Sequence, residues 1–240
     1  MTILDFNSKS TLADRFVELI DAAGDRVAET PRAYLGGSAI GEPCARRLQY
    51  SYQGAQQDEG SGFTARTRRI FHRGHQGEEW MAQWIRSAGF ELRTDKNGKQ
   101  FGFEDCDGRF KGHIDGVITE GPTGFKYPAL WENKVLGSKG FASVVKHGLA
   151  KAYPAYAVQV AIYQAYLQLA QNPAFFTVLN PDTMEIHLEL VPFNAELAQA
   201  NIDKAARILE ACDHGEILPR IAESDDSFAC KFCPYKGVCW

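Results

Sequence analysis

The chain has 240 residues, of which 45% are hydrophobic and 23% charged; these proportions are ordinary for a soluble globular protein, and the length suits one large domain or two small ones. No run approaches the roughly 18 apolar residues of a membrane span, and the N-terminal MTILDFNSKS lacks the apolar core flanked by basic residues of a secretory signal, so a cytoplasmic protein is expected. The net charge of −4 argues against holding nucleic acid by bulk charge and leaves a local basic groove as the route to such a partner.

In chain order, Thr11 to Asp14 has the form of a capping box, and Leu12, Phe16, Leu19, Ile20, Ala23 and Val27 behind it recur at helical spacing. Pro31 and Gly36-Gly37 end that helix. A short helix is predicted from Cys44 to Tyr52, and the polar, glycine-rich stretch up to Gly62 reads as a mobile loop. Thr64 to Ala88 predicts a long helix stopped by Gly89. Strands follow at Phe90–Thr94, Gln100–Glu104, Arg109–Thr119 and Ala129–Val135. Ser138 to His147 predicts a short helix and Ala155 to Gln171 an amphipathic one. Ala174–Leu179 and Glu185–Val191 form a hairpin around Asn180-Pro181-Asp182. A last helix runs from Phe193 to Asp213, and the tail after Pro219 has little periodicity. No repeat or low-complexity linker interrupts the chain. The simplest organisation is one α/β domain over 1–240, with a helical part at 1–62, a core at 63–192 and a helix with its tail at 193–240.

Four cysteines are placed unusually. Cys230, Cys233 and Cys239 crowd the last eleven residues, and Cys44 stands near the other end. The C-x2-C-x5-C spacing is too tight for relaxed disulfides and suits ligands on one ion or cluster, with Cys44 as the fourth. Zinc and an iron–sulfur cluster both accept four thiolates. Cys106 and Cys212 read as ordinary buried thiols.

The carboxylates carry a second pattern. Asp115 interrupts an apolar strand, and Glu132-Asn133-Lys134 lies on the next one. Glu132 and Lys134 share a face there because strand side chains alternate. If the strands are neighbours, Asp115 meets Glu132. Two carboxylates side by side call for a hard cation such as magnesium or manganese, and the lysine can orient or deprotonate a water bound to it. Glu78 on the long helix is a third acid, with Gly74 and Gly77 allowing close approach and His72 and His75 as second choices for a ligand. Gln159 and Tyr163 are four apart on one helix face, within reach of a phosphate or the lysine. Arg46, Arg47, Arg69 and Arg73, with their neighbours Arg66 and Arg68, are candidate contacts to the phosphates of a nucleic acid, and Tyr50, Tyr52, Phe63 and Phe71 are candidates for stacking on bases.

Taken in order, Cys44, Gly74 to Glu78, Asp115, Glu132-Asn133-Lys134, Gln159 to Tyr163 and the three tail cysteines resemble the PD-(D/E)XK nuclease superfamily. Within it they look like the iron–sulfur branch of CRISPR-associated RecB-like exonucleases and AddB-type nuclease domains. The resemblance implies a central mixed sheet flanked by helices, pinned at the tail by a [4Fe–4S] cluster on Cys44, Cys230, Cys233 and Cys239. It implies Mg2+ or Mn2+ on Asp115, Glu132, Glu78 and the carbonyl of Val135, with Lys134 positioning the attacking water. Glu78 departs from the histidine common in the CRISPR-associated members and leans toward phage exonucleases of the lambda type, which would put the protein in a host cytoplasm. The implied activity is metal-dependent exonucleolytic cleavage of DNA from an end. The alternatives are a processing nuclease working with a CRISPR or phage recombination complex, and a non-catalytic DNA-binding assembly subunit. Polarity, strand preference and oligomeric state stay open.

Overall fold

The computed structural model describes residues 11–26 and 32–240. The N-terminal ten residues, the helical position Val27 and the expected stop at Pro31 lie outside them.

The capping box forms as read. Thr11 Oγ1 accepts from the Asp14 N–H at 3.1 Å, Asp14 Oδ2 accepts from the Thr11 N–H at 2.9 Å, and α1 runs Leu12–Asp25. Its apolar side does not enter a core: Phe16 is 66% exposed, and none of the helix's residues is buried. It meets the rest of the chain through Asp21, Gly24 and Asp25, which touch the start of α3 (Ala65–Ser87).

Two sheets follow, and the strand read as Arg109–Thr119 is divided between them. Its first half, β6 (Phe110–His113), joins a three-stranded sheet between β1 (Leu35–Gly36) and β5 (Gly102–Asp105). Its second half, β7 (Gly116–Glu120), enters a five-stranded sheet between β2 (Glu91–Arg93) and β8 (Ala129–Val135). Ile114 and Asp115 form the corner. Crowding explains the flanking glycines: a Cβ at Gly112 would lie 2.6 Å from the Tyr163 ring, and one at Gly116 2.8 Å from the Arg93 carbonyl. Asp95–Lys96 (β3) and Lys99–Gln100 (β4) make a separate small ribbon.

From β8 the chain crosses over through α4 (Ser138–His147), α5 (Leu149–Ala152) and α6 (Pro154–Tyr166) and returns as β9 (Ala174–Leu179), parallel to β8. A crossover is what parallel neighbours require. β9 turns at Asn180 into β10 (Ile186–Val191), the antiparallel hairpin that was expected. The two central strands are buried on both faces. Leu130, Phe176 and Val178 feed one core, whereas Trp131, Phe175 and Leu179 feed another with Met81 of α3.

The helix expected to be amphipathic is a central one. α6 starts at Pro154, ends at Tyr166 and has every residue from Ala157 to Gln164 buried, because β8 flanks it on one side and α7 (Ala195–Asp213) on another. Proline at its first position sacrifices no helical hydrogen bond. The short helices α2 (Ala45–Tyr52), α8 (Phe228–Lys231) and α9 (Lys236–Cys239) complete the fold. Gln49 of α2 pins the tail by donating to the Glu216 carbonyl and accepting from the Leu218 N–H at 2.9 Å. Among the described residues no helix is long and apolar enough to cross a membrane.

Candidate active site

A cavity of about 550 Å³ opens where the two sheets meet. Glu78, Asp115, Glu132, Lys134, Gln159 and Tyr163 all line it. Each reaches it from a different constraint. Glu132 and Lys134 project from the same face of β8, two residues apart. Asp115 hangs at the corner between sheets, where its Oδ2 accepts from the Asn133 N–H at 2.7 Å and so is tied to the neighbouring strand. Glu78 arrives on α3, which sits tight on β8 at Gly77: a Cβ there would lie 2.5 Å from Val135 Cγ2. Gly74 has open space around it, so only one of the two glycines serves close approach.

Glu132 is the centre of the arrangement and is completely buried. Its Oε1 accepts from Lys134 Nζ and from Gln159 Nε2, both at 2.6 Å. Its Oε2 is buried with no hydrogen-bond partner. Gln159, expected to reach a phosphate or the lysine, meets the same carboxylate oxygen as the lysine does. Tyr163 is 1% exposed and lies under Gly37 and Gly112, forming part of the cavity floor.

The charges follow from this crowding. Burial, then the nearby Asp115 carboxylate, push Glu132 up to about 8. The same two causes push Glu78 up to about 7. Asp115 is also raised, by burial, against the pull of Lys134. Burial alone would lower Lys134, but Glu132 and Asp115 override it and hold the ammonium above the ordinary lysine value. Three acids crowd one lysine, and that crowding favours the protonated forms of the carboxyls.

Among the described residues, no three or more His, Cys, Asp and Glu side chains form a group arranged to hold a metal ion. The donor chemistry nevertheless fits one. An orphaned, buried carboxylate oxygen beside two further acids is a set of hard oxygen donors of the kind that Mg2+ and Mn2+ accept.

Neither the family models nor the curated proteins offer a match to this sequence. Solved structures do. The alkaline exonuclease LHK-Exo from Laribacter hongkongensis superposes with a TM-score of 0.53 at 15% identity, over 82% of this chain and 93% of its own. Its complex with dAMP gives 0.53 at 16% identity over the same shares. The chain has the fold of the PD-(D/E)XK nucleases. In that fold the corner at Asp115 and the strand of Glu132 lie together at the mouth between sheets.

Sequence reasoning missed part of this cavity. Arg32, Tyr34, Lys111 and His113 line it from the three-stranded sheet and its approach. Lys111 lies 3.1 Å from Glu104 and 5.7 Å from the Tyr34 ring centroid. The alternation of Lys111 and His113 with buried Phe110 and Gly112 was the available signal. His75 lines the cavity as well, whereas His72 does not.

The four cysteines line a second, smaller cavity, and all are free thiols. Cys44 caps α2, with its Sγ accepting from the Arg47 N–H at 3.4 Å. Arg46 Nη1 donates to Cys239 Sγ at 3.7 Å, and its Nε donates to the Leu218 carbonyl. Arg47 pairs with Glu42 at 3.0 Å. Of these two arginines, expected to contact DNA, Arg46 is engaged at a thiol and Arg47 holds Glu42 with its side chain 37% exposed. Arg69 pairs with Asp21 at 2.7 Å, and Arg73 is exposed on α3. Tyr50 is buried against Tyr235, so it is not a free stacking surface. Cys106 and Cys212 are partly buried beside the main core, where burial raises both thiols.

Proposed function

We propose that this chain is a divalent-metal-dependent deoxyribonuclease that degrades DNA from an end. The observation that carries the reading is the unpartnered Glu132 Oε2, buried beside Asp115 and Lys134 in an open cavity. The fold shared with an alkaline exonuclease supports it, as does that enzyme's complex with dAMP.

Asp115, Glu132, Glu78 and the Val135 carbonyl would hold Mg2+ or Mn2+. Bound there, the cation supplies Lewis acidity and an acidified water for hydrolysing a phosphodiester. The chain's own residues do the rest. Lys134 is held charged by its carboxylate neighbours, so it orients a water and offsets the negative charge building on the phosphate. Gln159 locks the carboxylate that both depend on. Arg32, Lys111 and His113 stand at the cavity wall where phosphates of the strand pass.

Cys44, Cys230, Cys233 and Cys239 would hold a [4Fe–4S] cluster, with zinc as the rival occupant. Four free thiols at one cavity, bordered by Arg46, Arg47 and Lys236, are a donor set whose thiolate charge is offset locally. This site braces the two ends of the chain and takes no part in cleavage.

Digestion of end-labelled single-stranded and duplex DNA with Mn2+ or Mg2+ tests the activity. Mononucleotide or short products released progressively from an end are expected. Internal fragments first would contradict the exonuclease reading. Iron and sulfide analysis of protein purified without oxygen tests the thiol site, where zinc without iron would overturn the cluster.

A further inference from the structure

A second large cavity, of about 480 Å³, opens beside the first, and Ser38 stands in the walls of both. Two phenyl rings mark it: Phe63, 51% exposed, and Phe232, 75% exposed. Tyr235 lies buried beneath them, and Ser51, Gln57 and Ser61 offer hydrogen-bonding groups. The cavity thus combines apolar rings with a few polar groups and the Glu42–Arg47 ion pair in its wall.

Its two sides come from distant parts of the chain and brace each other. The Asp58 N–H donates to the Pro234 carbonyl at 2.8 Å, and the Gly237 N–H returns to Asp58 Oδ1 at 2.9 Å. Gln57 Nε2 meets the Tyr235 hydroxyl at 3.5 Å. The segment read as a mobile loop is therefore tied to the cysteine tail. Phe232 sits between Cys230 and Cys233 in sequence, so whatever fixes those thiols also fixes one wall.

We propose that this cavity receives an unpaired nucleobase of the strand whose phosphate occupies the carboxylate cavity, stacking it against Phe63 and Phe232. The inference rests on the nuclease reading above and names a base subsite for it. The shared wall at Ser38 makes the two cavities neighbours, as one strand reaching both would require. Aromatic rings stack on any base, because every base has a π-face. A chain of net charge −4 gains affinity for a polyanion this way without more positive charge.

The test compares a labelled oligothymidine strand with an abasic strand of equal length, by fluorescence anisotropy without divalent metal. The full-length wild-type protein is expected to bind the base-bearing strand about tenfold tighter. The double variant Phe63→Ala, Phe232→Ala is expected to lose that preference, and Phe232→Trp to keep it. Equal affinity of the wild type for both strands, or a preference surviving in the double variant, would overturn the subsite. Hydrolysis of bis(p-nitrophenyl) phosphate, a diester without a base, reads the carboxylate cavity of the wild type separately. Failure there faults the nuclease reading and leaves the anisotropy result to judge the base subsite.

Discussion

Gln159 donates its side-chain amide to Glu132 across 2.6 Å, from a helix buried on nearly every side to the middle strand of the main sheet. The bond occupies the same carboxylate oxygen that Lys134 reaches, so the other oxygen is left for the cavity. If Glu132 holds a metal as proposed, Gln159 acts through it as a positioning residue. Gln159→Ala is expected to weaken Mn2+ binding and kcat by about 10- to 100-fold. Titrating Mn2+ by electron paramagnetic resonance checks it, and an unchanged metal affinity would assign Gln159 to packing alone.

Lys134→Ala removes the one ammonium among three acids. A fall of about 10²- to 10³-fold in kcat is expected, by analogy with removing one preorganised electrostatic group. Steady-state digestion at saturating metal measures it. A rise in KM with kcat preserved would instead make the lysine a strand-binding group.

The metal-free protein should be sensitive to pH. Glu132 is raised from 4.5 to about 8 and Glu78 to about 7, so folding favours their protonated forms. The stability gained from those protons is fully present below about pH 4.5 and is lost as pH rises toward 8. The melting temperature of metal-free protein is expected to fall across that window, and Mn2+ to restore it at the alkaline end. A melting temperature indifferent to Mn2+ at pH 8 would argue against a cation among these acids.

Gly74 and Gly77 separate propensity from contact on one helix. Gly74→Ala has open space and should stabilise by about 0.5–1 kcal/mol. Gly77→Ala drives a methyl into Val135, so it should cost about 1–3 kcal/mol and displace Glu78. Denaturant unfolding of both variants, with activity measured alongside, tests the pair.

The carboxylates were legible because each stands out chemically from its strand or helix, and because Glu132 and Lys134 at spacing two must share a face. The corner at Asp115 was not, because Phe110, Ile114 and Ile118 continue an apolar pattern through a break set by glycines and a second sheet. α6 read as amphipathic because its glutamines look solvent-facing, yet Gln159 and Gln164 are buried, one bonded to Glu132 of β8 and the other to the Asn172 carbonyl. Arg46 and Arg47 illustrate the same limit. Positive charge beside Cys44 reads as a phosphate contact until the fold brings Leu218 and Cys239 to Arg46 and turns Arg47 onto Glu42.

In the function proposed above, Glu132 and its neighbours make a metal-dependent cutting site. Glu132→Gln keeps the shape of the side chain and removes the charge, and the decisive measurement is its rate of DNA degradation in Mn2+ beside that of the wild type. End-directed degradation by the wild type is expected, with a rate at least about 10²-fold lower for the variant. Equal rates, or a wild type that cuts no DNA with either metal, would contradict it.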